Sequence, residues 1–114
     1  MDIKPLLLQR SENRCELCEG DQGLEVYQIE PTELAISECQ MISCQICLEQ
    51  LDKGATLDEE HWKCLIQSSQ SEYTSVQVVS WRQLSRLGHL DWSKEILNTM
   101  ELDELTLEWA SAGL

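Results

Sequence analysis

Up to about residue 54 the apolar positions of this chain come in short runs; beyond it they take helical spacing. Leu6, Leu7 and Leu8 form a small apolar block behind Pro5, a residue suited to the first turn of a short helix. Leu24 to Ile29 (LEVYQI) predicts a strand, and Pro31 limits its continuation. Residues 32–40 are polar and ambiguous. Met41-Ile42-Ser43 predicts a returning strand, and Leu48 to Leu51 one helical turn stopped by Gly54.

The second region carries helix punctuation throughout. Thr56 or Asp58 caps a helix with Asp58, Glu59 and Glu60 in its first turn, where acids favour the helix dipole. Its apolar positions Trp62, Leu65 and Ile66 follow i, i+3, i+4 spacing. The polar run 67–73 reads as a connection. Thr74-Ser75-Val76-Gln77 matches a capping box opening a helix over 76–87, whose apolar residues go most of the way round. Gly88 suits the position after that helix, Asp91 a cap for 92–100, and Asp103 a cap for 104–112 with Leu102, Leu105 and Trp109 on one face and Gly113 at its end. The predicted class is α+β: a small zinc-ribbon or treble-clef-like β-unit over 1–54, then three to four short helices over 55–114, packed on it as one unit.

Composition narrows the function. No apolar run is long enough for a membrane span, and Leu6–Leu8 is too short for a secretory segment. A cytoplasmic, reducing setting is therefore expected, in which cysteines serve metals more often than disulfides. The net charge is −13, with acids spread evenly and bases never clustered. Such a surface repels phosphate backbones and anionic lipid, so nucleic-acid binding by this segment is disfavoured and no membrane partner is expected.

Cys15-x2-Cys18 and Cys44-x2-Cys47 are the chemistry-bearing motif. Each turn can aim two thiolates at one ion, and two turns complete a tetrahedron. Zinc is the first expectation and iron, as in rubredoxin-like sites, the alternative. Four thiolates leave no open position, so the ion is expected to be structural and no catalytic residue is assigned. Cys39 lies off the knuckle spacing, though a substitute ligand role stays open for it. Cys64 is expected as a small buried apolar residue. His61 is expected as a surface or capping histidine, and His89 at a helix C-terminus. Trp62, Trp81, Trp92 and Trp109 are expected to pack in the core, with a partner-binding anchor as the alternative. Arg82 and Arg86, one turn apart, are expected to pair with acids.

The run RCELC…LEVYQI.P…CQICLEQL, then HWKCL, SEYTSVQVVSWRQLSRL and LDELTLEWA, resembles the bacterial PhnA-type proteins named after a phosphonate-utilisation operon. The resemblance spans about Gln9 to Gly113. It implies a zinc ribbon with ligands at Cys15, Cys18, Cys44 and Cys47. Longer members continue into a β-rich C-terminal domain, whereas this sequence stops at Leu114 and is expected to be a fragment or a short member. Ser69-Gln70 stand where the family often has Met-Trp. The two knuckles with a strand between them also resemble the scaffold of HNH-type nucleases. Those carry a general-base histidine near Tyr27 or Gln28 and a metal-binding histidine where this chain has Leu48. That resemblance implies the scaffold without the chemistry.

Together these readings describe a non-enzymatic protein with one structural Zn2+ and a protein partner or self-association as its ligand. The alternatives are an enzyme or accessory factor in phosphonate metabolism, and a degenerate HNH-like nucleic-acid-binding module.

Overall fold

A computed structural model describes residues 4–29, 40–51 and 56–112. Pro31, Cys39, Gly54 and Gly113, and most of the ambiguous 32–40 segment, lie outside the described residues. The order is α1 (Lys4–Arg10), β1 (Glu25–Gln28), β2 (Gln40–Ser43), α2 (Gln45–Leu51), α3 (Glu59–Trp62), α4 (Leu65–Ser68), α5 (Thr74–Arg86), α6 (Asp91–Thr99) and α7 (Glu104–Ala112). A small β-unit followed by a cluster of short helices is thus the architecture, as the α+β reading expects.

β1 and β2 pair antiparallel with Val26 opposite Ile42 and Tyr27 opposite Met41. The pairing is asymmetric in burial. β2 buries Met41, Ile42 and Ser43 on both its faces, whereas β1 is half-exposed. A two-stranded ribbon is marginal by itself. Here α1 packs on both strands and α5 packs on β2.

The core cluster draws on both regions: Ile29 and Met41 from the β-unit meet Leu65, Val79, Leu84 and Trp109 from the helices. α5 is the central helix, in contact with α4, α6, α7 and β2. That explains why Val76, Val78, Val79, Ser80, Gln83 and Leu84 are all buried, leaving little of it polar-faced. Ser80 answers its burial by donating from Oγ to Ser68 Oγ at 3.2 Å, and Ser93 donates to the Leu84 carbonyl at 2.6 Å.

Several helix starts differ from the sequence reading. Of the two caps expected for α3, Asp58 is the one used, its Oδ1 accepting from the Glu60 and His61 amides. The expected helix around Trp62 divides into α3 and α4, which buries Trp62 and Leu65 but leaves Ile66 exposed. The capping box is not formed. Tyr73 is the cap residue of α5, Thr74 is already helical, and the Gln77 side chain donates to the Ser71 carbonyl at 2.6 Å instead of reaching the helix start. Asp91 lies inside α6, whose cap is Leu90. Asp103 does cap α7, accepting from the Thr106 amide at 2.7 Å, which holds its carboxyl below the usual range. α7 is rotated from the expected face: Thr106, Trp109 and Ala110 are buried and Leu105 is exposed.

Candidate metal centre

The first knuckle follows α1 directly. Its turn closes through the Glu19 amide donating to the Cys15 carbonyl at 2.9 Å and the Cys15 amide donating to the Gly20 carbonyl at 2.7 Å. Glu19 takes a left-handed backbone, φ 66°, which turns the chain sharply after Cys18. A side chain at Gly20 would come within 3.4 Å of the Cys18 sulfur and 3.8 Å of that of Cys44. The backbone there wraps closely around the sulfurs.

Glu16, inside this knuckle, fixes its place in the fold. Its amide donates to the Ile42 carbonyl at 3.0 Å, and its Oε2 accepts from the Ile42 amide at 2.9 Å. Ile42 stands two residues before Cys44, so one side chain sets the first knuckle against the second. Glu16 is itself held by Arg10, Nε to Oε1 at 2.6 Å and Nη2 to Oε2 at 2.8 Å. The Arg10 guanidinium also lies over the Tyr73 ring, 4.1 Å from its centroid. A second tie joins the knuckles at Gly23, whose φ of +63° brings the chain against Gln45. Next to it, the Gln22 carbonyl accepts from the Gln45 amide at 3.1 Å.

The second knuckle leads from β2 into α2. Cys44 precedes the helix and Cys47 sits in its first turn. All four sulfurs lie within 4.8 Å of one another. Cys15 and Cys47 are 3.7 Å apart and Cys18 and Cys44 3.4 Å. A tetrahedron with metal–sulfur bonds of ~2.3 Å has sulfur–sulfur edges of about 3.8 Å. The sulfurs therefore already stand near the vertices that an ion would need. These distances are far beyond a disulfide bond of about 2.05 Å, and the five described cysteines are all free. The sequence-predicted set, Cys15, Cys18, Cys44 and Cys47, is brought together in full.

Crowded thiols cannot all ionise alone. Neighbouring Cys18, then Cys47, hold the Cys15 thiol well below its usual value. The reciprocal contact with Cys15 pushes Cys18 up to about 12, and Cys15 and then Cys18 push Cys47 up as well. A divalent cation removes this conflict by neutralising the sulfurs it binds. Four soft donors suit a tetrahedral ion, and with the shell complete no position is left for water or substrate. The geometry fits one structural metal ion.

The remaining candidates fall as follows. Cys64 is half-buried against the core, and burial, reinforced by the charge of Cys18, Cys15 and Cys44, pushes its thiol up to about 12. It stays protonated and stands outside the four-sulfur group. Cys39 lies outside the described residues. His89 is exposed just beyond α5, as expected. Trp62 and Trp109 are fully buried, while Trp81 and Trp92 are half-buried.

Arg82 meets backbone carbonyls where an acid partner was expected, and Arg86 reaches α2 and its own helix. Arg82 donates to the carbonyls of Ala110 and Trp109, closing the end of α7, and Arg86 donates to the Gln50 carbonyl and Gln83 Oε1. Helix ends leave carbonyls without partners, and a guanidinium answers several at once. His61 differs most from the sequence reading. It is half-buried, and its Nε2 lies 3.2 Å from the Cys47 sulfur. Its sequence signal was the spacing His61-Trp62-x-Cys64, which suggests a ligand pair with Cys64, whereas the sulfur it meets is that of Cys47.

Among the described residues no buried side-chain nitrogen or oxygen lacks a partner. No helix among them is long and apolar enough to cross a membrane. No family model matches the chain, and neither a curated protein nor a solved structure matches it.

Proposed function

We propose that this chain is a non-enzymatic zinc module, in which Cys15, Cys18, Cys44 and Cys47 hold one structural Zn2+ and the helices carry a surface for a protein partner. The observation that supports it most is the near-tetrahedral grouping of four sulfurs from two distant turns. Zinc is preferred over iron because the proposed role needs a redox-inert ion that tolerates tetrahedral thiolate coordination without cycling. Its work is mechanical. Among the described residues the β-unit has two four-residue strands, and an ion that ties β2 and α2 to the first knuckle supplies what so small a sheet lacks. The ribbon likeness to PhnA-type proteins agrees with this role.

A protein partner is favoured over nucleic acid by charge. The chain carries −13, and four bound thiolates with a divalent ion take it to about −15. Exposed Leu105 and Leu107 on α7 and Ile66 after α3 are the apolar points that such a partner would meet first.

Elemental analysis of the purified chain tests the metal part: one zinc per chain, loss of tertiary structure on chelation, and recovery when zinc is restored. A chain that keeps its fold and its melting temperature through exhaustive chelation contradicts it. Capture of a partner by the wild-type chain but not by Cys44→Ser tests the interaction part. Turnover of a phosphonate or of DNA by the purified chain would overturn the non-enzymatic reading.

A further inference from the structure

His61 lies on α3, a four-residue helix with its own anchorage. Asp58 caps it, and Gln50 at the end of α2 accepts at Oε1 from both the Trp62 indole and the Asp58 amide, each at 2.7 Å. The His61 ring meets Trp62 edge-on, with centroids 5.0 Å apart and planes at 79°. These contacts fix the ring before any ion is considered. They deliver Nε2 to within 3.2 Å of the Cys47 sulfur, a hydrogen-bond distance for nitrogen and sulfur. His61 is not a member of the four-sulfur group and meets it at Cys47.

A thiolate bound to a metal carries no proton. The contact then has one chemical form: Nε2–H donates and sulfur accepts. Four thiolates around a divalent ion leave a net charge of −2 on the centre, and Cys47 is wholly buried. A donor aimed at a buried thiolate draws charge from it and stabilises it where water cannot. The Leu17 amide stands in a similar relation to Cys15, 3.4 Å from its sulfur. Cys47 receives its donor from a side chain fourteen residues away in sequence.

We infer that His61 is a positioning residue of the metal centre, whose Nε2–H bond to the Cys47 thiolate strengthens metal retention and couples docking of α3 to occupancy of the site. This rests on the four-thiolate reading above. The second helical region is thereby joined to the ion by a polar contact as well as by packing. Loss of the metal would return the Cys47 sulfur to a thiol and weaken this contact, while Gln50 still holds α3 to α2.

The test uses the full chain loaded with Co2+, whose absorption reports its ligands. Wild type is compared with His61→Phe, which keeps a ring against Trp62 but has no N–H, and with His61→Gln, which keeps a donor. Wild type is expected to show the bands of four-thiolate cobalt. His61→Phe should keep that ligand pattern, shift its sulfur-to-cobalt charge-transfer band to lower energy, and lose the metal to a competing chelator about tenfold more readily. His61→Gln should recover part of both effects. Equal affinity and unshifted bands in His61→Phe would overturn the inference. So would a His61→Gln variant no closer to wild type than His61→Phe, because packing alone would then explain the loss. A wild-type spectrum of three sulfurs and one nitrogen would make His61 a ligand and overturn the positioning role. Failure of wild type to take up cobalt in thiolate coordination would instead sink the four-thiolate reading itself, and the inference with it.

Discussion

Arg10→Met removes one charge from the pair that seats the first knuckle while keeping most of the side-chain volume. Glu16 is only 5% exposed and Arg10 17% in their side chains, so the pair is largely withdrawn from water. Breaking a buried pair by removing one partner costs about 3–5 kcal/mol, because the other charge is left uncompensated. The partial exposure of Arg10 argues for the lower end. Loss of the guanidinium from the Tyr73 face adds roughly 0.5–1 kcal/mol, part of which the methionine thioether returns. The expected loss is about 3 kcal/mol. At about 4 °C per kcal/mol for a domain of this size, the melting temperature should fall by roughly 12 °C. Thermal melts of the metal-saturated protein, followed by tryptophan fluorescence at neutral pH, read this directly. Adding Glu16→Leu removes the stranded carboxylate but orphans the Ile42 amide, at a cost of about 1–3 kcal/mol. The double variant should therefore melt above Arg10→Met and below wild type. A melt of Arg10→Met within about 2 °C of wild type would refute the assignment of Arg10 and Glu16 as the knuckle's seat.

Further outcomes follow from the same geometry. Gly23→Ala places a Cβ 2.9 Å from Gln45 Cβ at a left-handed φ of +63°, so it should cost about 1–3 kcal/mol in denaturant unfolding. An unchanged midpoint would contradict the close approach. The ion-free thiols of Cys18 and Cys47 are pushed up and keep their protons at neutral pH. A metal must displace those protons, so affinity should rise with pH between 6 and 8 and calorimetry should detect proton release. A pH-independent affinity would contradict the crowded cluster. Gln50→Leu removes the acceptor shared by the Trp62 indole and the Asp58 amide, and hydrogen exchange at residues 59–62 should quicken while β2 stays protected. Unchanged exchange there would show that α3 does not depend on α2.

The knuckles could be read from sequence because the chemistry is local: two residues between two thiols already define a turn with two ligands. The strands and α5 were also plain, the first from short apolar runs bounded by polar residues, the second from a helix apolar nearly all round. What escaped depends on tertiary placement. The face of α7 shifted from Leu105 to Thr106 because Arg82 holds the Trp109 and Ala110 carbonyls, and no periodicity carries that information. α5 begins at its apparent cap, Thr74, with Tyr73 as the cap residue, and Gln77 bonds the Ser71 carbonyl, outside the helix. Glu16 looked like one of 21 acids, and only its two bonds to Ile42 and its pairing with Arg10 single it out. His61 needed α3 to dock on α2 before its ring could reach Cys47.

X-ray absorption at the metal edge of the as-purified protein probes the inner shell itself. Sulfur neighbours alone, four of them at ~2.3 Å, are what a closed four-thiolate rivet predicts. An oxygen or nitrogen scatterer near ~2.0 Å would mean that water, substrate or His61 occupies the ion, and the structural role assigned to Cys15, Cys18, Cys44 and Cys47 would be contradicted.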